Sequence, residues 1–216
     1  QRAEGANVGG KPPLSVYLHI PFCESVCYYC ACNKVITKHH ERATEYLDAL
    51  DKEIGLHVAE LGAGQSVSQL HFGGGTPTFL SDAELSRVFG MLKSAFRIAP
   101  GAEVSIEVDP RTASPDRLRF LAELGFNRIS FGVQDVATPV QMKINRLQTY
   151  GLVASATEFL RAAGFKAVNF DLMYGLPAQT VESVARTARQ AAELQPDRIA
   201  VFGYAHVPWF KKHQKM

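Results

Sequence analysis

Apolar and polar positions alternate between two periods along the chain. Leu14-Ser-Val16-Tyr-Leu18-His-Ile20 switches polarity at every step, which predicts a strand that Pro21 stops. From Glu41 to Leu61 the apolar side chains Ala43, Leu47, Leu50, Ile54, Val58 and Leu61 instead return every three or four residues, the period of one helix face, and Gly62 and Gly64 end the run. The same unit recurs. Val67 to Phe72 predicts a second strand, and Ser81-x-x-Glu84 is a capping box that opens a helix carrying Leu85, Val88, Phe89, Leu92 and Phe96. Glu103 to Val108 reads as the third strand, followed by a helix that starts at Ser114-Pro115-Asp116, carries Leu118, Leu121 and Leu124, and stops at Gly125. Strands follow at Arg128 to Val133, Ala167 to Leu172 and Arg198 to Tyr204. Helices fall between them through Val153, Ala156, Phe159 and Leu160 and from Thr180 to Leu194.

Strands and helices that alternate at intervals of roughly 30 to 40 residues call for right-handed crossovers and a parallel sheet. The pattern fits an open doubly wound sheet or most of a barrel, and both gather chemistry in the loops at the carboxyl ends of the strands. The unusual residues lie there: four cysteines after the first strand, Gly73 to Thr76 after the second, Glu107 and Asp109 at the end of the third, Gln134 after the fourth, and Asp171 at the end of the fifth.

Composition adds limits. The 216 residues suit one moderate domain, expected over 14–216 after a flexible, Gly- and Pro-rich arm at 1–13. With 23 Lys and Arg against 21 Asp and Glu, the chain has no field strong enough to imply nucleic acid or an anionic membrane. It also has no apolar run of about 20 residues to span a bilayer and no signal-peptide core, so a cytoplasmic protein is expected. Trp209 to Met216 reads as the start of a sixth helix cut short, and the chain as a fragment. His39, His40, His57 and His213 read as helix-surface residues with no assigned role.

All four cysteines, Cys23, Cys27, Cys30 and Cys32, fall within ten consecutive positions as C-x3-C-x2-C-x-C. Spacings this short cannot staple distant elements, but a loop can wrap its thiolates around one soft metal centre, either an iron-sulfur cluster or zinc. Structural zinc sites usually draw on two separated ligand pairs, and no second pair exists here. Three cysteines therefore suggest a four-iron cluster with one iron open to an outside ligand.

Pro21-Phe22-Cys23-x3-Cys27-x-Tyr29-Cys30 after an apolar strand resembles the cluster loop of the radical S-adenosylmethionine (SAM) superfamily. Further stretches sharpen the resemblance: Tyr17-Leu-His19-Ile-Pro21, Leu70-His-Phe72-Gly-Gly-Gly-Thr-Pro-Thr78, Ser105-Ile-Glu107-Val-Asp109-Pro110, Gly132-Val-Gln134-Asp135, Asn145-Arg146, Asp171-Leu-Met-Tyr-Gly175-Leu-Pro177 and Tyr204-Ala-His206. In order and spacing they are similar to the family of oxygen-independent coproporphyrinogen III oxidases. Some also occur in a related haem chaperone, which usually has phenylalanine where this chain has Cys32.

The resemblance implies an α/β fold, a partial (β/α)6 TIM-like barrel of the radical SAM type; the family has a further C-terminal domain that helps close over the substrate, which this chain is expected to lack. Cys23, Cys27 and Cys30 would hold a [4Fe-4S] cluster whose open iron is chelated by S-adenosyl-L-methionine. Tyr17, His19, Tyr29, Gly74, Gly75, Thr76, Glu107, Gln134, Arg146 and Asp171 would contact the cofactor, with Arg146 able to clamp a carboxylate at two points. Cys32 would stay unligated near the substrate and matter for turnover. The reaction implied is hydrogen abstraction from the β-carbon of a propionate by the radical formed on reductive cleavage of SAM. Loss of carbon dioxide and one electron then leaves a vinyl group, twice per porphyrinogen. A flavodoxin or ferredoxin would supply electrons, and a monomer is expected. The alternative is a cluster-bearing haem chaperone that does not decarboxylate.

Overall fold

The computed structural model describes residues 12–215. Apart from Pro12 and Pro13, the expected N-terminal arm lies outside the described residues, as does Met216. Six parallel strands form one curled sheet, a half-barrel, in sequential order: β1 (Leu14–Ile20), β4 (Ser66–Gly74), β5 (Arg97–Val108), β6 (Arg128–Gln134), β7 (Ala167–Tyr174) and β8 (Arg198–Gly203). Two short strands, β2 (Phe22–Cys23) and β3 (Val35–Ile36), pair separately. The helices are α1 (Glu41–Leu61), α2 (Asp82–Ala95), α3 (Pro115–Leu124), α4 (Thr138–Lys143), α5 (Tyr150–Ala162) and α6 (Val181–Glu193). No helix among the described residues is long and apolar enough to cross a membrane.

The alternation within each strand separates two faces of the sheet. Leu70, Phe72, Ile106, Ile129, Phe131, Val168 and Phe170 are all at most 1 % exposed and belong to the single large core. Phe72, Phe89 of α2 and Phe126 form an aromatic trio with ring centroids 5.0–5.6 Å apart. Intervening positions carry polar groups in register across neighbouring strands: Tyr17 opposite His71, His71 opposite Ser105, Glu107 opposite Ser130, and Gly132 opposite Asp171. One periodicity thus builds a packed wall and a polar face.

Local signals set most helix ends. Ser81 and Glu84 close a reciprocal capping box on α2, Ser114 accepts from the Arg117 amide at the start of α3, and Gly125 ends α3 in a left-handed conformation. Three features differ from the sequence reading. The third strand begins at Arg97 rather than Glu103, because the ladder with β4 shifts register between Val67 and Gln69 and takes up the Pro100-Gly101 segment. The six-residue α4 is too short to leave a periodic signature. The C-terminal stretch forms a single 3-10 turn, Lys212–Gln214, in place of the expected α-helix start, since Gln214 spends its side chain on distant backbone groups.

Candidate active site

The cysteine loop leaves β1 at Pro21 and returns at Val35, and the β2–β3 pair closes its neck. The Val35 amide donates to Pro21 O at 2.7 Å and the Thr37 amide to Cys23 O at 2.9 Å. Between these points the backbone runs outside the sheet, so its polar groups take partners from other parts of the chain. On one side the Tyr28 amide donates to Ile144 O and Asn145 Nδ2 to Val26 O, both at 2.9 Å. This connection depends on α4, whose Val140, with Ile144 and Leu176, forms a small buried cluster beneath Tyr29. Asn145 holds its position at a φ of 53°, a conformation that Asn tolerates better than most residues.

Two cavities meet at this loop. The smaller, about 270 Å³, is bordered by Cys23, Cys27 and Cys30 with Thr76, Asp109, Arg111 and Arg146. The larger, about 440 Å³, has Cys30 and Cys32 on one side and Gly74 to Thr76, Glu107, Gln134 and Asp171 on others. Tyr29, Cys30, Gly75, Thr76, Asp109 and Arg146 border both. Among the described residues no three His, Cys, Asp or Glu side chains are gathered closely enough to hold a single metal ion. The thiols border a space instead.

All four cysteines are free of disulfides, with Cys27 buried and Cys32 exposed. The Cys32 thiol hydrogen-bonds to Cys30, and this contact, aided by Lys34, lowers the pKa of Cys30 against the effect of burial. The same bond, with burial, raises the pKa of Cys32. Burial raises Cys23, whose sulfur lies 3.5 Å from Thr76 Oγ1.

Cys27 is flanked by two guanidinium groups, Arg146 Nη1 at 3.6 Å and Arg111 Nη2 at 3.9 Å. Asp109 sits between them, bonded to Arg111 at 2.6 Å and Arg146 at 3.1 Å. Burial would raise the Asp109 carboxyl, but these two cations hold it below the usual range. Arg146 is only 7 % exposed and already gives two donors to Gly132 O at 2.8 and 3.2 Å, besides those to Asp109 and Cys27. Four of its five N–H groups are committed, so in this arrangement the two-point grip on a ligand carboxylate expected from sequence is not available.

The glycine run packs tightly. Gly74 has a φ of 115°, and a side chain on Gly75 would lie 2.7 Å from Phe22 O and 2.8 Å from Pro21 O. The Gly74 amide donates to Glu107 Oε2 at 3.2 Å, and the Gly75 amide to Ile20 O at 2.8 Å. Tyr17 and His19 do not border the larger cavity. They stand behind the glycines, joined by a 3.2 Å hydrogen bond, with His19 Nε2 2.8 Å from Asn33 O. His71 links Ser105 at 2.7 Å to Glu107 at 3.4 Å, a second support for Glu107. Burial first, and the nearby Glu107 charge second, push Asp171 up to about 6. Gln134 reaches the cavity wall from a φ of 63°, a strained setting of the kind found at functional sites.

Some of the site was not legible in the sequence. Arg111 carries only a local charge pattern there, and His213, expected on a helix surface with no role, is half-buried with its Nε2 2.8 Å from Cys30 O. His39 and His57 are exposed as expected, while His40 also stacks on Phe79 at 4.3 Å between ring centroids.

A parallel half-barrel with a three-cysteine loop at the carboxyl end of its first strand defines a class of protein. The chain belongs to the radical SAM superfamily, whose sequence pattern matches residues 17–191. It is 51% identical to the oxygen-independent coproporphyrinogen III oxidase of Escherichia coli K12 over 196 residues, which are 91% of this chain and 43% of that protein. It is 45% identical to the enzyme of the same name from Synechocystis over 205 residues, 95% of this chain and 44% of that one. The solved structure of the E. coli coproporphyrinogen III oxidase, described as a radical SAM enzyme, superposes with a TM-score of 0.88 at 50% identity, covering 94% of this chain and 46% of that one. The chain thus spans less than half the length of the curated relatives it matches.

Proposed function

We propose that the chain is the catalytic half-barrel of an oxygen-independent coproporphyrinogen III oxidase, acting by oxidative decarboxylation of two propionates. The observation that carries this reading is the division of the cysteines. Cys23, Cys27 and Cys30 border one cavity, and Cys32 borders only the next. The residues fit a [4Fe-4S] cluster. Three unpaired thiols on one loop border the space, two guanidiniums beside Cys27 offset thiolate charge, and Gly75 leaves room that a Cβ would fill. The larger cavity is of the size that small-molecule sites have, a few hundred Å³, and suits S-adenosyl-L-methionine. When bound, cluster and SAM supply one-electron bond cleavage and a hydrogen-abstracting radical.

The chain's own groups would position these partners. Glu107, held by His71 and the Gly74 amide, is placed to accept hydroxyl protons of a ribose, and Asp171 and Gln134 to bond polar groups beside it. Tyr29 offers a ring face shared by both cavities, and Arg146 one remaining N–H. Tyr17 and His19 fix the glycine run from behind. Cys32, on the wall of the larger cavity, would stay unligated near the substrate and matter for turnover. The electron carrier would be a flavodoxin- or ferredoxin-like donor, with coproporphyrinogen III as substrate.

Anaerobic reconstitution tests the reading: about four irons per chain and no zinc are expected, with cluster absorbance kept in Cys32→Ser and lost in Cys30→Ser. Carbon dioxide release from coproporphyrinogen III by the full-length protein is the second arm, and haem transfer without that release would overturn the enzyme in favour of a chaperone.

A further inference from the structure

Three side chains of one short C-terminal segment reach three carbonyls of the cysteine loop. Gln214 Nε2 donates to Tyr29 O at 2.9 Å, His213 Nε2 lies 2.8 Å from Cys30 O, and Lys211 Nζ donates to Cys32 O at 3.1 Å. Residues 29 to 32 belong to no strand or helix, so these carbonyls have no ladder to satisfy them, although Cys30 O also accepts from Lys34 Nζ at 2.9 Å. Gln214 is 1 % exposed and its amide is fully used: Nε2 also donates to Ala205 O at 3.0 Å, and Oε1 accepts from the Val207 amide at 2.6 Å. One buried amide thus ties the cysteine loop to the segment after β8, where Ala205, with Gly203 at the end of β8, borders the same cavity as Cys30 and Cys32.

We infer that Gln214 is a positioning residue for the cluster loop, bolting the Tyr29–Cys32 backbone to the β8 side of the cofactor cavity, with His213 and Lys211 as flanking supports. The inference rests on the proposed cluster, and it assigns to the C-terminal segment a share in holding Cys30 in place. Backbone held this way fixes the direction in which a thiolate points. Such outer partners are commonly worth about 10- to 100-fold in metal affinity.

The test compares Gln214→Glu and His213→Ala with the unmodified chain after anaerobic iron-sulfur reconstitution. Gln214→Glu keeps an acceptor for the Val207 amide but sets an anionic oxygen against Tyr29 O and Ala205 O. The readouts are the rate of iron loss to a chelator, the electron paramagnetic resonance spectrum of the reduced cluster, and the melting temperature of the iron-free chain. Iron loss about 10- to 100-fold faster in Gln214→Glu is expected. An altered spectrum is expected with it, together with a lower iron-free melting temperature, because the carboxylate is buried against two carbonyls; His213→Ala is expected to show a smaller rise in iron loss with an iron-free melting temperature close to the parent's. Unchanged iron loss in both variants would overturn the inference, as would faster loss in His213→Ala matched by an equally large fall in its iron-free stability. If Gln214→Glu does not fold, His213→Ala decides by the same rate. Failure of the unmodified chain to take up four irons would instead count against the proposed function.

Discussion

Replacing Asp109 by Asn removes one negative charge from a site where two guanidiniums converge, at almost no change in volume. Asp109 is 8 % exposed and bonds Arg111 at 2.6 Å and Arg146 at 3.1 Å, and Arg146 is itself 7 % exposed. At an effective dielectric of about 20, a pair about 3.1 Å apart gains roughly 5 kcal/mol of attraction. Desolvation takes back a large part of it. Removing one partner of a buried pair, however, leaves the other uncompensated, at a cost of about 3–5 kcal/mol. Asn can still accept a hydrogen bond from Arg111, so a loss of about 3 kcal/mol is expected for the iron-free, reduced chain in urea at pH 7. The pH dependence follows from the sign of the shift. The folded carboxyl lies below its unfolded value of about 3.9, so its stabilisation is fully present above that value and is lost as pH falls through the lower folded one. The gap between parent and variant should therefore be constant from neutral pH down to about pH 5 and shrink below about pH 4. A variant within about 0.5 kcal/mol of the parent at pH 7, or a gap that ignores acid, would refute the charge argument.

Two further substitutions probe the cavity walls. Gly75→Ala places a methyl 2.7 Å from Phe22 O and 2.8 Å from Pro21 O, both backbone atoms, so it should cost about 1–3 kcal/mol and reduce iron incorporation, as measured by urea titration and iron analysis. Asp171→Asn should have the opposite effect on stability. The Asp171 carboxyl titrates at about 6 in the folded chain, so its ionised form is penalised there. That penalty is absent below about pH 3.9, grows with pH and is complete above about 6, where it is worth up to about 3 kcal/mol. The iron-free variant should thus melt higher than the parent at pH 8 and equally at the acid end, while the loaded chain binds S-adenosyl-L-methionine more weakly by calorimetry. A variant that melts lower at pH 8 would show that the carboxylate is not under strain.

The relatives named for coproporphyrinogen oxidation share about half of this chain's residues over nearly all of its length, yet the chain covers less than half of theirs. That asymmetry makes cluster and cofactor binding the chemistry to measure on the chain itself and decarboxylation the chemistry to measure on the full-length protein.

What the sequence determined by itself is everything that depends on spacing along the chain. Alternation assigned the strands because successive side chains of an extended backbone must point to opposite faces, and that placed Glu107 at a strand end before any fold was known, whereas Asp171, expected at an end, lies within β7, which runs on to Tyr174. The three- and four-residue period and the capping residues assigned five of the helices. Ten consecutive residues confined four thiols to one loop. The partners of that loop were decided only by the tertiary structure. Ile144, Asn145 and Gln214 meet Tyr28, Val26 and Tyr29 across 116, 119 and 185 positions. Asp109 was placed between Arg111, two residues away, and Arg146 in a separate loop. Arg146, legible as a cofactor contact, proved to be mostly spent on Gly132, Asp109 and Cys27. The physical reason is common to these cases: backbone outside the sheet and charge buried beside the thiols must be satisfied by whatever the fold brings near, and closure of the half-barrel, rather than any local pattern, chooses those neighbours.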